Sequence, residues 1–245
     1  MIILCKILII NINKAMESKC NSIARMLSKK LELNHFEVEQ INLSNYKINY
    51  CTGCKSCFYT GLCREDLNDD FTKLRVKIRN SRIIIFIIPV YFLNVPGIIK
   101  TVIDRTSFNT HLMSYAGKRA INIVVSTLTG GKEVLKYLYK YELNLGMYIL
   151  NNIEVLERDV NNKIVDLAYN CIIDNSNKDL HDLNLELIFK RNKSFYSRDI
   201  TYLNNEDNFI NNEILYWSQS WIQETQTFDE YALKNISRLE YKNIK

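Results

Sequence analysis

The chain has 245 residues, of which 47% are hydrophobic and 24% are charged, and this composition excludes a disordered or collagen-like protein. Its 32 Lys and Arg residues exceed its 27 Asp and Glu residues, but the basic residues are spread along the chain, which does not favour nucleic-acid binding. The longest apolar run, residues 83–99, contains Pro89, Asn94 and Pro96, so we expect no transmembrane helix and no membrane partner.

The apolar start of the chain, residues 1–10, lacks the basic leader and the small-residue cleavage site of a secretion signal. We therefore expect a cytoplasmic protein, in a compartment where thiols stay reduced. The seven cysteines would then serve as metal ligands or redox groups rather than as a disulfide framework.

Segments of strand length alternate with segments of helical periodicity. A helix follows the first strand, with Asn21 and Ser22 as caps at or near its start, and later helices carry apolar residues at 71–78, 95–108 and 134–141. The predicted strands cover residues 2–10, 36–43, 82–89, 121–126 and 147–155.

Five strands that alternate with helices predict an α/β fold with a doubly wound parallel sheet. Ligands of such sheets bind at the carboxyl ends of the strands, where the loops 11–20, 89–94 and 127–131 would meet. All seven glycines and both prolines lie between Gly53 and Gly146, which indicates that special backbone geometry is concentrated there.

Cys51, Cys54, Cys57 and Cys63 form a C-x2-C-x2-C-x5-C motif. Four thiolates on a glycine-bearing loop can converge on one small inorganic cluster, and this spacing suits a [4Fe–4S] cluster. A structural zinc site usually pairs two C-x2-C units across a longer segment, which is missing here. Zinc, a redox dithiol of Cys54 and Cys57, and a loop of unliganded cysteines stay open as alternatives.

The segments INYCTGCKSCFYTGLC, IIPVYFLNVPGIIKTVIDR and STLTGG, together with Asp69 and Asp70, resemble the NAD(P)H-dependent FMN reductases of the flavodoxin-like superfamily. The four-cysteine motif is most similar to that of the iron–sulfur flavoproteins within it. The resemblance implies a flavodoxin-like sheet of order 2-1-3-4-5 in an FMN-binding domain at residues 1–175, with a cysteine-bearing insert at 44–68. Residues 176–245 would form a mainly helical C-terminal extension.

The resemblance further implies a non-covalent FMN, with the phosphate at the first loop and the isoalloxazine ring between the other two. The first loop departs from the family pattern, because it has no Gly, Pro or Arg. Lys14 or Lys19 could replace the missing charge. The candidate cofactor-binding residues are Asn13, Lys14, Ser18, Asn21 and Ser22 in the first loop, Pro89, Val90, Tyr91, Phe92 and Asn94 in the second, and Thr127, Thr129, Gly130 and Gly131 in the third.

The leading hypothesis is an FMN-dependent oxidoreductase or electron-transfer protein. NAD(P)H or a reduced protein would donate electrons, a small molecule or a protein would accept them, and a [4Fe–4S] cluster would lie beside the flavin. Because hydride and electron chemistry belongs to the cofactor, no catalytic side chain is predicted. The alternatives are a cluster-free FMN, quinone or nitro-compound reductase, and a degenerate flavodoxin-like module that binds a partner through its extension.

Two residue pairs outside these loops carry weaker predictions. Asp104 and Arg105 match a D-R pair of the family, for which an ion pair or an interface role is expected. Trp217 and Trp221 are four residues apart, so one helical stripe could bury both. They would pack in the core or at the contact between subunits of a homodimer or homotetramer.

Overall fold

The computed structural model describes residues 6–12, 15, 17–175, 181–198 and 212–242. Strands and helices alternate through the first part of the chain, and helices alone follow the last strand among the described residues. In chain order the elements are β1 (Lys6–Asn11), α1 (Lys19–Leu33), β2 (Glu37–Asn42), α2 (Ser56–Thr60), α3 (Phe71–Asn80), β3 (Ile83–Pro89), α4 (Gly97–Arg105), α5 (Ser107–His111), β4 (Arg119–Ser126), α6 (Gly131–Leu145), β5 (Tyr148–Leu156), α7 (Asn162–Asn175), α8 (Leu183–Arg198), α9 (Asn212–Trp217), α10 (Ser220–Gln223) and α11 (Phe228–Lys242).

The five strands form one parallel sheet in the order β2-β1-β3-β4-β5, which confirms the predicted fold. Every residue of β3 is buried, because helices cover both faces of the sheet and a central strand then needs apolar side chains on both sides. The carboxyl ends of β1, β3 and β4 are neighbours at one edge of the sheet, where the three predicted loops begin.

The two faces of the sheet hold separate apolar layers. On one face, α1 and α7 pack against the sheet, and α1 buries Ile23, Leu27 and Leu31 along one stripe at helical spacing. On the other face, α3, α4 and α6 enclose a second layer. Each fully buried Ile or Leu side chain contributes about 1.5–3 kcal/mol to folding, so these two layers fix the position of the strand ends.

Two predicted helix boundaries are wrong. Asn21 and Ser22 lie inside α1, and the N-cap is Ser18, whose Oγ accepts a hydrogen bond from the Asn21 backbone N–H at 3.2 Å. The predicted helix 95–108 is broken at Thr106, which separates α4 from α5. The Thr106 Oγ1 bonds to the Val102 carbonyl at 2.9 Å and to the Tyr141 hydroxyl at 2.7 Å, so the break is stabilised by contacts with α6.

The described part of the C-terminal extension is helical, as predicted, and packs against α5 and α6 around a third apolar cluster. Trp217 at its centre is fully buried, and its Nε1 donates to the His111 carbonyl at 3.0 Å. Trp221 stacks on Tyr231 with ring centres 5.5 Å apart. The two tryptophans lie on separate helices rather than on one stripe, and both pack within this chain.

None of the helices in the described part of the chain combines the length and the apolar composition that a bilayer span needs.

One edge of the sheet is formed by β2, an outer strand with mostly polar, partly exposed residues. Lys6 on β1 pairs with Glu37 at 3.4 Å and with Glu39 at 3.2 Å, and Glu39 also pairs with Lys77. Charges therefore cover this edge of the sheet.

Candidate flavin and cysteine site

The loop after β3 makes a tight turn at the carboxyl edge of the sheet. The Tyr91 N–H donates to the Asn94 carbonyl at 2.9 Å, and the Asn94 N–H donates to the Tyr91 carbonyl at 3.1 Å. Between them, Phe92 and Leu93 have positive φ angles of 47° and 61°, which is the pattern of a type I′ turn. Such turns favour Asn and Gly, so two bulky residues here cost roughly 1–3 kcal/mol each, and backbone strain of this kind concentrates at functional sites.

The loop after β4 lies directly against this turn. Gly130 has a φ of 95°, and a Cβ at that position would be 2.8 Å from the Val90 Cγ1 and 3.1 Å from the Leu93 Cα. A Cβ on Gly131 would clash with the Glu154 side chain. Gly130 is therefore needed for the close contact between the two loops.

Several apolar side chains at this edge are exposed. Phe92 is 98% exposed and Leu128 is 80% exposed, and Tyr91 and Leu93 are about half exposed at 56% and 51%. Exposed aromatic and aliphatic groups clustered at a ligand-binding edge indicate a surface that a ligand or a second protein covers.

The loop after β1 is tied to the sheet by amide side chains. The Asn11 Nδ2 donates to the Asn21 Oδ1 at 2.7 Å, and the Asn21 Nδ2 donates to the Ala15 carbonyl at 2.6 Å. Ser18 caps α1, so the partly positive start of this 15-residue helix faces the same edge. Two predicted residues of this loop, Asn13 and Lys14, lie outside the described residues.

Two buried polar atoms at this edge have no hydrogen-bond partner among the described residues. They are the Asn11 Oδ1 at the end of β1 and the Ser126 Oγ at the end of β4. Unsatisfied polar atoms are rare in protein interiors, and their position here fits an edge that receives a polar ligand.

The four cysteines lie on a loop with three left-handed residues. Gly53, Lys55 and Gly61 have φ angles of 69°, 58° and 74°. Lys55 is the N-cap and Gly61 the C-cap of the short helix α2, so the chain turns sharply at both ends of this helix. Cys51 and Cys54 are exposed, whereas Cys57 and Cys63 are partly buried. None of the four forms a disulfide with another cysteine in the described part of the chain.

Burial and neighbouring groups shift the pKa values of two of these thiols. Burial raises the pKa of Cys57, and the nearby Cys63, Cys51 and Cys54 raise it further. The pKa of Cys54 is lowered by hydrogen bonds from the Ser56 backbone and from the Thr52 side chain, which stabilise the thiolate form that binds iron or zinc.

The four cysteines are the candidate metal ligands of this loop. Cysteine thiolates bind iron–sulfur clusters and zinc ions. Among the described residues, no three Cys, His, Asp or Glu side chains are close enough to bind one metal ion.

The cysteine loop is held between the sheet domain and the extension. Phe58 of α2 packs edge-on against Phe108 and His111, with ring centres 5.4 and 5.3 Å away. The Asn212 side chain at the start of α9 donates to the Tyr59 carbonyl. Local sequence patterns do not predict this role of the extension, because they do not connect residues more than 150 positions apart.

At the base of the loop, the predicted ion pair of Arg105 is present. Its guanidinium bonds to Asp66 and Asp69, whereas Asp104 pairs with Lys100 on the helix surface. Burial acts to raise the pKa of Asp69, but hydrogen bonds from Arg105 and from backbone N–H groups lower it below its usual value. Asp69 therefore stays ionised opposite Arg105.

Comparison with known proteins is consistent with this geometry. Residues 5–162 match the model of the NADPH-dependent FMN reductase family. An iron–sulfur flavoprotein of Archaeoglobus fulgidus is 41% identical over 105 residues, which cover 43% of this chain and 47% of that protein. An iron–sulfur flavoprotein of Clostridioides difficile is 25% identical over 125 residues, which cover 51% of this chain and 52% of that protein. The chain thus spans about half the length of the curated relatives it matches.

Solved structures share the fold at low sequence identity. A flavone reductase has a TM-score of 0.57 and 15% identity, with 72% of this chain and 66% of that chain covered. RosB with a bound 8-demethyl-8-formylriboflavin-5′-phosphate intermediate has a TM-score of 0.57 and 12% identity, with 84% and 89% covered. Since the family model spans more than half of the sequence, at residues 5–162, the chain belongs to the NADPH-dependent FMN reductase family.

Proposed function

We propose that this chain is an FMN-dependent oxidoreductase that carries electrons from NAD(P)H or a reduced protein to a small-molecule or protein acceptor. The observation that carries the proposal is the contact of Gly130 with Val90 and Leu93, which joins the loops after β3 and β4 at the carboxyl edge of the sheet. Exposed Phe92 and Leu128 leave an apolar surface there for a planar ring. Membership of the FMN reductase family supports flavin as that ring.

The three loops would divide the binding of FMN between them. When bound, FMN supplies the hydride and electron chemistry, and the protein positions it and excludes water. The start of α1 would hold the phosphate, the turn after β3 would form one wall of the ring site, and the backbone N–H groups after β4 would bond to the ring edge. The residues we assign to these roles are Asn13, Lys14, Ser18, Asn21 and Ser22, then Pro89, Val90, Tyr91, Phe92 and Asn94, then Thr127, Thr129, Gly130 and Gly131.

We further propose that Cys51, Cys54, Cys57 and Cys63 hold a [4Fe–4S] cluster, which would supply one-electron steps. The C-x2-C-x2-C-x5-C spacing on one short loop and the stabilised Cys54 thiolate support this assignment. The names of the relatives from Archaeoglobus fulgidus and Clostridioides difficile, both iron–sulfur flavoproteins, support it as well. Free thiols suit the reducing cytoplasm, where we place the protein.

The first experiment is anaerobic purification followed by an absorbance spectrum and iron and sulfide analysis. We expect one FMN and about four iron and four sulfide per chain. A colourless protein that also fails to bind FMN at micromolar concentration would overturn the oxidoreductase proposal and favour a degenerate flavodoxin-like module.

A second experiment tests the cluster separately from the flavin. We expect the substitution Cys57→Ala to abolish iron binding and to leave FMN binding unchanged, because the flavin loops lie on other strands. Cys171→Ala, at a partly buried cysteine on α7, is the matched control and should retain iron. A wild-type protein that is yellow but free of iron would instead be a cluster-free FMN, quinone or nitro-compound reductase.

A further inference from the structure

One buried side chain bonds to both ends of the cysteine loop. The Arg105 side chain, in the last turn of α4, has no exposed surface. Its Nη1 donates to the Asn49 carbonyl at 2.9 Å and to the Asp69 carboxylate, and its Nη2 donates to the Asp66 Oδ1 at 2.9 Å. Asn49 lies just before the first cysteine of the loop and Asp66 just after the last one, so a single guanidinium joins the two ends.

The same contacts fix the loop to the sheet domain. The Arg105 guanidinium lies over the ring of Phe71, 4.5 Å from its centre, and Phe71 is the fully buried first residue of α3. The Asp69 carboxylate also accepts hydrogen bonds from the backbone N–H groups of Asn49 and Phe71, both at 2.9 Å. The loop ends are therefore attached to α3 and α4, which are rigid elements.

Only arginine can make this set of contacts. Its planar guanidinium presents donors in several fixed directions, whereas a lysine ammonium is a single point charge. Two carboxylates, Asp66 and Asp69, balance the buried charge, and a second arginine, Arg75, pairs with the other oxygen of Asp66. Among the described residues, the Arg75 guanidinium bonds to Asp66 and Thr72 and not to the other end of the loop.

We propose that Arg105 is a positioning residue that holds the two ends of the four-cysteine loop at the separation a [4Fe–4S] cluster needs. The inference rests on the proposed function, because it assumes that the loop binds a cluster. The Arg105 guanidinium also places a positive charge at both ends of the loop that carries the four cysteines. A positive charge beside a cluster favours the reduced state, so Arg105 would also raise the reduction potential.

The test compares Arg105→Lys, which keeps the charge but loses the bridge, with Arg105→Gln, which loses both. Arg75→Lys is the control on the same carboxylate. The full chain of each variant is loaded anaerobically with iron, sulfide and FMN, and the transfer of iron to a chelator is timed. We expect both Arg105 variants to release iron at least about fivefold faster than wild type, and Arg75→Lys to stay within about twofold.

The reduction potential separates positioning from general damage. We expect Arg105→Gln to have a more negative cluster potential than Arg105→Lys, while both bind FMN as the wild type does. Equal iron release by wild type and Arg105→Lys would overturn the positioning role, and equal potentials in the two variants would overturn the role of the charge. If Arg105→Lys does not fold, Asp66→Ala is measured in its place. It removes the acceptor of both the Arg105 Nη2 and Arg75, and Arg75→Lys shows how much of its effect comes from the Arg75 contact alone.

Trypsin cleavage tests the bridge even without a cluster. Lys55 and Arg64 lie within the loop, and cleavage there reports how firmly the iron-free loop is held. A wild-type chain that binds no iron would overturn the proposed cluster. In that case, faster cleavage of Arg105→Lys than of Arg75→Lys still supports the positioning of the loop by Arg105, and equal cleavage overturns it.

Discussion

At the scale of single residues, Glu142 is a carboxyl group buried in the sheet domain. It lies on α6 with no exposed surface, and its Oε2 accepts a hydrogen bond from the Asn122 Nδ2 at 2.7 Å. Burial raises the pKa of Glu142 from 4.5 to about 8, and the hydrogen bond from Asn122 lowers this pKa by a smaller amount. The folded protein therefore holds this carboxyl in its protonated form at neutral pH.

A raised pKa in the folded state makes stability fall as pH rises. The stabilising effect of the proton is complete below pH 4.5, where the unfolded chain is also protonated, and is lost by the time pH passes about 8. We expect Glu142→Gln, which cannot ionise, to remove a few kcal/mol of this pH dependence. Urea unfolding at several pH values measures it.

Glu133→Gln is the control for this prediction, because Glu133 is an exposed residue in the first turn of the same helix. Its stability should follow that of wild type across the pH range. If Glu142→Gln also follows wild type, Glu142 is not buried in protonated form.

Gly130 gives a second prediction at this scale. Since a Cβ there would meet Val90 and Leu93, we expect Gly130→Ala to destabilise the protein by about 1–3 kcal/mol and to weaken FMN binding by about tenfold. Gly97→Ala is the control, because a Cβ at that first residue of α4 meets no atom within 4 Å. Flavin fluorescence titration and urea unfolding measure both effects; unchanged FMN affinity in Gly130→Ala would contradict the proposed ring site.

At the scale of elements, the turn at 91–94 combines strain with exposure. Phe92 has a φ of 47° and is 98% exposed, so its side chain does little for the fold of this chain. We expect Phe92→Gly to raise the free energy of unfolding by about 1 kcal/mol and to weaken FMN binding several-fold. Equilibrium unfolding and FMN titration measure the two changes.

His35 is the matched control for the turn. It follows α1 with a φ of 65° and is exposed, so His35→Gly should give a similar gain in stability with no change in FMN affinity. Equal FMN affinity in Phe92→Gly and His35→Gly would show that Phe92 is not part of the flavin site.

The elements also show what local sequence can and cannot predict. Apolar periodicity located all five strands and the helices α1, α3, α4 and α6 among the described elements. Burial on both faces of a parallel sheet leaves a direct pattern in the sequence. The break at Thr106 depends on the Tyr141 hydroxyl of another helix, and the turn at Phe92 uses residues that disfavour positive φ. Contacts between distant residues, such as Arg105 with Asn49, leave no local pattern at all.

At the scale of the whole molecule, the extension shares an apolar cluster with the sheet domain. Trp217 stacks on Tyr196 and Tyr231, with ring centres 6.2 and 5.7 Å apart, and bonds to His111 of α5. We expect Trp217→Ala to destabilise the protein by about 3–5 kcal/mol. Because this apolar cluster contains residues of both the sheet domain and the extension, the wild type should unfold in one calorimetric transition.

Leu215→Ala, at a half-exposed position of the same helix, is the control and should unfold close to wild type. Two separate transitions in wild type would contradict this prediction and would favour independent units at residues 1–175 and 176–245. That domain boundary was inferred from family resemblance, and it stays a prediction.

The charged outer strand β2 has a consequence for self-association. A strand from a second copy that added to β2 would have to desolvate Glu37 and Glu39 and disrupt their pairs with Lys6. Such growth of the sheet across two molecules is unfavourable, which also limits fibril-like aggregation. A dimer or tetramer of this chain would therefore not assemble by extending the sheet through β2.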